Sequence, residues 1–209
     1  MIPVKVLAVR LIPHASPALT SGLGVPGGFT SLAMLTTDCD DATYIALDAA
    51  TKAADVEVVY GRSFYAGAAN ASTPYSGEVM GILAARTPGD ARSGMEAARS
   101  TLERVGFEEA HGVVFLAHTV ASVGTFLAKE AGVPVGSAVA YLIAPPLESM
   151  YALDAALKAA DVALCKLYTP PSETNFGGGL LTGSQSACQA ACDAFAQAVQ
   201  SVAAHPREM

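Results

Sequence analysis

The sequence has few charged residues and no long hydrophobic segment. Only 15% of its 209 residues are Asp, Glu, Lys or Arg, against about 25% in an average soluble chain. The apolar runs are interrupted by Asp, Lys, Pro or Gly well before the roughly 20 residues that a membrane-spanning helix needs. Residues 1–12 lack the apolar core and cleavage site of a secretory signal. We therefore expect a cytoplasmic protein without a membrane segment, and the low charge indicates surface buried against other subunits.

Clustered positive charge and cysteine motifs are also missing. The net charge is −7 and the basic residues are scattered, which argues against nucleic-acid binding because a phosphate backbone attracts a basic patch. The four cysteines form no C-x-x-C pair, so no zinc site is predicted. Cys188 and Cys192 lie on the apolar stripe of the last predicted helix, which favours core positions over metal ligation. Histidine, serine and cysteine occur in no recognisable catalytic motif, and the sequence does not predict an enzyme.

What the sequence does contain is an internal repeat. Residues 46–58 (ALDAATKAADVEV) and 152–164 (ALDAALKAADVAL) agree at ten of thirteen positions at an offset of 106. The matched charged residues, such as Lys52 with Lys158, do not follow from a high alanine content. The motif G-V-P also recurs, at an offset of 108. The repeat predicts two tandem copies of one domain, residues 1–107 and 108–209.

Both copies show the same order of predicted elements. A strand, the G-V-P motif, a second strand, a helix and a third strand are followed by a long loop, a short strand and a last helix. The first helix of each copy is predicted at residues 41–54 and 149–160, where apolar residues recur at i, i+3 and i+7. The long loops are predicted at residues 61–77 and 168–183. This order predicts an α+β fold with helices packed on a sheet.

Three acidic residues, Asp38, Asp40 and Asp41, precede the first predicted helix. Carboxylates there either cap the helix or hold a divalent cation, which prefers several oxygen ligands. The second copy has A-P-P-L-E at residues 144–148, so the fold does not require the acids, and the difference indicates a role specific to the first copy. Glu78 opens the strand after the first loop, and paired with Asp40 it would clasp a small cation such as a protonated amine.

The two long loops are the other candidate site. Long loops inside compact domains are usually functional or mobile. Tyr65, Tyr75, Asn175 and Phe176 could line an opening, although roles in stabilising turns explain them equally well. The glycines at 177–179 would let the backbone approach a ligand or pack about a symmetry axis. They form no phosphate-binding loop, because no G-K-[ST] follows them.

The repeated motif A-L-D-A-x-x-K-A-A-D-V resembles the signature of the bacterial microcompartment (BMC) shell domain. Longer stretches resemble the tandem-domain shell proteins of ethanolamine-utilisation microcompartments, and the resemblance covers nearly the whole chain. It implies an α+β protein of two tandem, circularly permuted BMC domains, each an antiparallel sheet flanked by helices, that serves as a structural protein of the shell. The stretches are DCDDATYIALDAATKAADVEVVYGRSFYAGAA, IAPPLESMYALDAALKAADV and PPSETNFGGGLLTGSQSACQAAC.

The resemblance also implies partners and sites. A homotrimer would mimic a hexamer and tile with other shell proteins, with Lys52 and Lys158 at the tiling edge. Small pores would bind ethanolamine at Asp40, Asp41 and Glu78. No cofactor is required, and cobalamin, which some relatives bind, is the one cofactor to consider. A gated central pore for metabolites or cofactors would be formed by Phe64, Tyr65, Ala66, Gly67, Asn70, Asn175, Phe176, Gly177, Gly178 and Gly179.

Two other functions stay open on the residues alone. A soluble two-domain sensor would clasp a small molecule with the acidic residues and the glycine-rich loop, and it predicts tight, saturable binding without assembly. A metal-dependent enzyme would use Asp38, Asp40 and Asp41, and its thermal stability should respond to divalent cations. The shell protein predicts a discrete trimer and sheet formation. It also leads us to expect that a bulky residue at Gly178 perturbs closure of the pore.

Overall fold

The computed structural model of the protein describes residues 1–64, 77–170, 172 and 174–208. The chain forms two compact units. The first unit contains residues 3–106 and 124–127, and the second contains residues 1–2, 107–123 and 128–209. The predicted domains follow the sequence repeat, whereas the two units follow the packing. Residues 1–2 therefore belong to the second unit, and residues 124–127 belong to the first.

The first unit is a four-stranded antiparallel sheet with helices packed on it. Its elements are β1 (Val6–Ile12), α1 (Pro17–Gly22), β2 (Ser31–Thr37), α2 (Asp40–Ala53), β3 (Val56–Ser63), β4 (Val79–Ala85) and α3 (Pro88–Leu102). The strand order is β1-β2-β4-β3, and each neighbouring pair is antiparallel. Helices α2 and α3 pack against each other and against the sheet. The two central strands are therefore the more deeply buried ones.

The second unit repeats this plan with one added strand. Its elements are β5 (Glu108–Ala110), β6 (Val113–Val120), β7 (Ala138–Ala144), α5 (Pro146–Ala159), β8 (Val162–Tyr168), β9 (Gly177–Gly183) and α6 (Gln185–Ala204), and α4 (Thr125–Ala131) begins in the first unit and ends in the second. The strand order is β5-β6-β7-β9-β8, again antiparallel throughout. Helices α5 and α6 pack against each other. Strands β6, β7, β8 and β9 thus correspond to β1, β2, β3 and β4.

Each unit buries its own apolar core. Phe29, Leu32 and Ile82 lie in a core of the first unit, and burying a Leu, Ile or Phe side chain contributes about 1.5–3 kcal/mol. In the second unit, Cys188 and Cys192 face the core at 0% and 2% exposure. The prediction that these two cysteines are core residues is confirmed. None of the described helices has the length and apolar character needed to cross a bilayer.

The predicted fold class, α+β with two antiparallel sheets and flanking helices, is confirmed. Helices α2 and α5 begin one and three residues before their predicted starts. The predicted second loop is wrong at its C-terminal end, because residues 177–183 form the central strand β9. Glycine is depleted in strands, and this made the segment read as a loop. In the sheet, a Cβ at Gly178 would lie 1.9 Å from the Leu142 carbonyl oxygen, so the close approach of β7 requires glycine.

The repeat is preserved in the backbone around the two G-V-P motifs. Gly24 and Gly132 have φ of 65° and 67°, a left-handed conformation that glycine adopts readily. The Val25 N–H donates to the Thr20 carbonyl at 2.9 Å, and the Val133 N–H donates to the Ala128 carbonyl at 3.0 Å. Helices α1 and α4 are therefore followed by the same turn in the two copies.

Asp48 joins α2 to the start of α4. Its carboxylate is fully buried and accepts hydrogen bonds from the backbone N–H groups of Gly124 and Leu127, both at 2.8 Å. Lys52 completes the arrangement, with Nζ 3.1 Å from the carboxylate. The counterpart Asp154 pairs with Lys158 in the same spacing, but its side chain is 62% exposed. The same sequence motif thus has two structural roles.

This difference predicts unequal effects of removing the two carboxylates. Asp48→Ala should lower the free energy of unfolding by about 2–4 kcal/mol, because it leaves two buried N–H groups and a helix start without their acceptor. Asp154→Ala should change it by less than about 1 kcal/mol, because exposed ion pairs contribute little. Urea unfolding at one fixed protein concentration measures both variants. Equal effects of the two substitutions would contradict this assignment.

Candidate small-molecule site at the start of helix α2

The candidate site lies where β2 turns into α2. The Thr37 and Thr43 hydroxyl oxygens are 2.7 Å apart, and the Thr43 hydroxyl donates to the Cys39 carbonyl at 2.7 Å. The Cys39 N–H donates to the Thr37 hydroxyl oxygen at 3.2 Å. Both threonines are fully buried. This network holds the turn, and with it the direction of the acidic side chains that follow.

The three aspartates have different surroundings. Asp38 accepts a hydrogen bond from the Lys5 N–H at 2.8 Å. Asp40 and Asp41 are 7% and 8% exposed, and Asp40 accepts from the Asp41 N–H at 2.9 Å. Both lie in the first turn of α2, where the helix dipole favours negative charge. Of the capping alternative, the first-turn positions are found, but the N-cap position is occupied by Cys39, which makes no side-chain cap.

Glu78 is brought beside this turn by Gly77. The Glu78 N–H donates to the Thr37 carbonyl at 2.8 Å. Gly77 has φ of 65°, and a Cβ there would lie 2.1 Å from the same carbonyl oxygen. Only glycine fits this approach. Glu78 thereby lies near enough to Asp40, 38 positions earlier in the chain, for the charge of Asp40 to act on its carboxyl group.

The electrostatics of the site are those of crowded carboxylates. Partial burial, then the charges of Asp40 and Asp38, raises the pKa of Glu78 above its usual value. Burial also raises the pKa of the Cys39 thiol to about 12, and the neighbouring aspartates add to the shift. Among the described residues, no Lys, Arg or His lies within ion-pair distance of Asp38, Asp40 or Glu78. The site therefore favours a cation from outside the described chain.

The arrangement is better suited to an organic cation than to a metal ion. Within the described part of the chain, no three His, Cys, Asp or Glu side chains are grouped in a way that could hold a metal ion. The protonated thiol of Cys39 is not a nucleophile. Two carboxylates provide too few ligands for a metal ion, but they can accept charge-assisted hydrogen bonds from an ammonium group.

Apart from Phe176, the residues predicted for the central pore fall into three groups: residues outside the described part of the chain, exposed residues, and residues buried in a strand. Tyr65, Ala66, Gly67 and Asn70 lie outside the described residues. Phe64 is 37% exposed, and Asn175 is exposed. The loop assignment of Gly177, Gly178 and Gly179 is wrong, because these glycines are buried in β9, paired with β7 and β8.

Phe176 and the two edge lysines also differ in their surroundings. The Phe176 ring stacks on that of Phe107, with centroids 5.8 Å apart. Lys158 is 75% exposed, whereas Lys52 is 36% exposed and holds Asp48. Sequence reasoning missed Asp48, whose only signal was its place beside Lys52 in the repeat. It also missed Tyr44, whose hydroxyl accepts a hydrogen bond from the Ser63 N–H at 2.7 Å.

Comparison with known proteins shows a consistent set of relatives. The BMC domain family model matches residues 31–119. The bacterial microcompartment shell protein EutL of Clostridium perfringens is 56% identical over 206 residues, which cover 97% of this chain and 95% of that protein. The crystal structure of the ethanolamine utilization protein EutL from Leptotrichia buccalis superposes with a TM-score of 0.94 at 56% identity, covering 100% of this chain and 98% of the other.

A more distant structure shares the fold. The trimeric bacterial microcompartment shell protein PduB superposes with a TM-score of 0.80 at 20% identity, covering 96% of this chain and 89% of the other. The family match begins at β2 and ends in β6, the counterpart of β1. In the family model, the strand equivalent to β6 comes last, whereas in each copy of this chain the corresponding strand comes first. This difference in order is what a circular permutation predicts.

The position of Gly178 changes what a substitution there should do. Gly178→Ala should destabilise the second unit by about 3 kcal/mol or more, because the new Cβ overlaps the Leu142 carbonyl. Gly27→Ala is the matched control, since nothing lies within 4 Å of a Cβ at that position. Thermal unfolding of both variants tests this. Wild-type stability of Gly178→Ala would show that β9 does not approach β7 as described.

Proposed function

Because the chain belongs to the EutL family of bacterial microcompartment shell proteins, we propose that three copies form a shell unit whose acidic site binds a protonated amine. Proteins of this family are structural and not enzymatic. The metal-dependent enzyme and the soluble sensor considered from the sequence have no comparable support. A trimer is supported by the shared fold of PduB, which is described as trimeric.

The observation that carries the amine site is the pair of Asp40 and Glu78, which has no Lys, Arg or His partner within the described part of the chain. The second copy has Pro146 at the position of Asp40, so the start of this helix does not require that carboxylate. Ionisation of Glu78 is less favourable in the folded chain than in a free glutamate, as its raised pKa indicates. A ligand that brings one positive charge and hydrogen-bond donors removes that cost. Ethanolamine, which is a protonated amine at neutral pH and stands in the name of the ethanolamine utilization protein from Leptotrichia buccalis, fits this chemistry.

The central pore and a cobalamin ligand also belong to the proposed function. They rest on the family resemblance, because residues 65–76 of the first loop lie outside the described residues. The described contribution to that region is Phe64 together with Asn175 and Phe176. No cofactor is needed for the structural role.

Assembly is the first property to test. Sedimentation equilibrium over a tenfold concentration range should give the mass of a trimer, and electron microscopy should show sheets. Lys158→Ala should retain the trimer and lose the sheets, because this exposed lysine is assigned to the tiling edge. Lys129→Ala, which removes another exposed lysine, should retain both. A monomer at every concentration would contradict the proposal.

Amine binding should depend on both carboxylates. Asp40→Asn and Glu78→Gln should each weaken ethanolamine binding about tenfold or more in calorimetry, since a charge-assisted hydrogen bond contributes about 1.5–3 kcal/mol. Asp154→Asn, which neutralises an acid elsewhere, should not. Glu78 has a raised pKa, so it loses its charge earlier than a free glutamate as the pH falls. Wild-type affinity should therefore begin to decrease above pH 4.5, the usual pKa of glutamate.

Two results would separate binding from folding effects. Glu78→Gln should not destabilise the protein at neutral pH, because ionisation of Glu78 is less favourable in the folded chain than in a free glutamate and the benefit of its neutral form is present only at low pH. If both variants bind ethanolamine as tightly as the wild type, the acidic pair is not the amine site.

A further inference from the structure

An apolar surface covers one side of α5 and the neighbouring strand β8. Six large apolar side chains there are at least one-third exposed, four of them on α5 and two on β8. Monomeric proteins rarely expose so many apolar side chains in one place, and such patches mark contact surfaces. The residues are Leu147 (64%), Met150 (37%), Tyr151 (59%), Leu157 (36%), Leu164 (45%) and Leu167 (45%). We name them the α5–β8 face.

Three counterparts of this face in the first copy, Tyr44, Thr51 and Gly61, are contacted by residues 124–127. The ring of Phe126 lies 6.1 Å from that of Tyr44, and its Cζ would be 3.3 Å from a Cβ at Gly61. Leu127 is fully buried. The Thr125 N–H donates to the Thr51 hydroxyl at 3.1 Å. A segment of the second copy thus forms part of the first unit's packing.

The covering segment has its own counterpart in residues 16–19, at the offset of 108. Both segments lead into the same G-V-P turn, as the matched hydrogen bonds and glycine angles show. Leu19 corresponds to the fully buried Leu127, yet it is 43% exposed. The α5–β8 face and residues 16–19 are therefore the counterparts of two parts of the chain that contact each other in the first unit. Both of these counterparts are exposed to solvent.

We infer that residues 16–19 of a second copy pack on the α5–β8 face, and that side-chain volume at this contact decides which segment takes which face. The inference rests on the proposed assembly of copies and specifies the surface. Where the first copy pairs Phe126 with Gly61, the second contact pairs Ala18 with Leu167. The large side chain has moved from the segment to the face.

The second contact is not an identical copy of the first. A Cβ at Gly124 would lie 2.1 Å from the Thr51 hydroxyl oxygen and 2.8 Å from the Asp48 carbonyl oxygen, and its counterpart Ser16 has a Cβ. The segment at 16–19 must therefore stand further from α5 than residues 124–127 stand from α2. Leu157 in place of Thr51 and Leu167 in place of Gly61 fill that added distance.

Neither segment fits the other's face. Phe126 would overlap Leu167, and Ser16 would overlap the backbone of α2. Asp154 is not needed to accept the Leu19 N–H, as Asp48 accepts the Leu127 N–H, because the Ser16 hydroxyl already accepts it at 3.3 Å. The contact between copies is consequently heterologous, joining one surface to a different one, and such contacts form closed rings when the rotation permits.

The test exchanges the volumes. Ala18→Phe places a large ring on an exposed position, so folding is unaffected, and it should raise the trimer dissociation constant at least tenfold in sedimentation equilibrium. Leu167→Gly should also weaken the trimer at least tenfold, by removing a buried leucine. The double variant recreates the pairing of Phe126 with Gly61 and should recover most of the Ala18→Phe loss. Ala190→Phe, on an exposed position of α6, should have no effect.

The outcomes separate this inference from the proposed assembly. A wild-type monomer overturns the assembly and the inference together. A wild-type trimer that Ala18→Phe and Leu167→Gly leave unchanged overturns the inference alone, and it would indicate that a different partner covers the α5–β8 face. Weakening by each substitution without any recovery in the double variant would overturn the volume rule while retaining the surface.

Discussion

The buried carboxylate of Asp48 is the interaction on which the first unit depends. A fully buried charge is tolerated only when hydrogen bonds and a counter-charge compensate it, and here two backbone N–H groups and Lys52 do so. Satisfying this carboxylate brings residues 124–127 onto α2. Once they lie there, Gly124 must lack a side chain and Phe126 reaches Tyr44 and Gly61. One polar group thus specifies where an apolar contact forms.

The acidic site shows that one of the two copies can change residues that the shared fold does not require. Both copies carry acidic residues in the first turn of this helix, Asp40 and Asp41 in the first copy and Glu148 in the second. Among the residues that the structure describes, only the first copy places a further acid, Glu78, near enough for the charge of Asp40 to act on it. The second copy makes the turn with Pro145 and Pro146, which shows that the geometry does not depend on Asp40. In the first copy, partial burial and then the charges of Asp40 and Asp38 raise the pKa of Glu78. A cationic ligand would favour the ionised form of Glu78, which is the physical basis of the proposed amine site.

Fusion of two copies also permits unequal contacts. In a ring of identical single domains, every contact uses the same pair of surfaces, so a change on one surface affects all contacts. In a fused pair, one contact is made inside the chain and the next between chains, and each can diverge. In the contact that we infer between copies, Ala18 and Leu167 take the places of Phe126 and Gly61, which is such a divergence. It would prevent the internal segment from competing for the external face.

The sequence by itself determined the repeat, the fold class, the helices and the core positions of Cys188 and Cys192. These follow from periodicity and internal similarity, which are properties of neighbouring residues. It misjudged residues 177–179, because the reason for glycine in β9 is a carbonyl of the adjacent strand, about 35 positions away. It also presented Asp48 and Asp154 as equivalent. Only the tertiary structure decided that one is buried and the other exposed, because the groups that bind Asp48 lie 76 and 79 positions further along the chain.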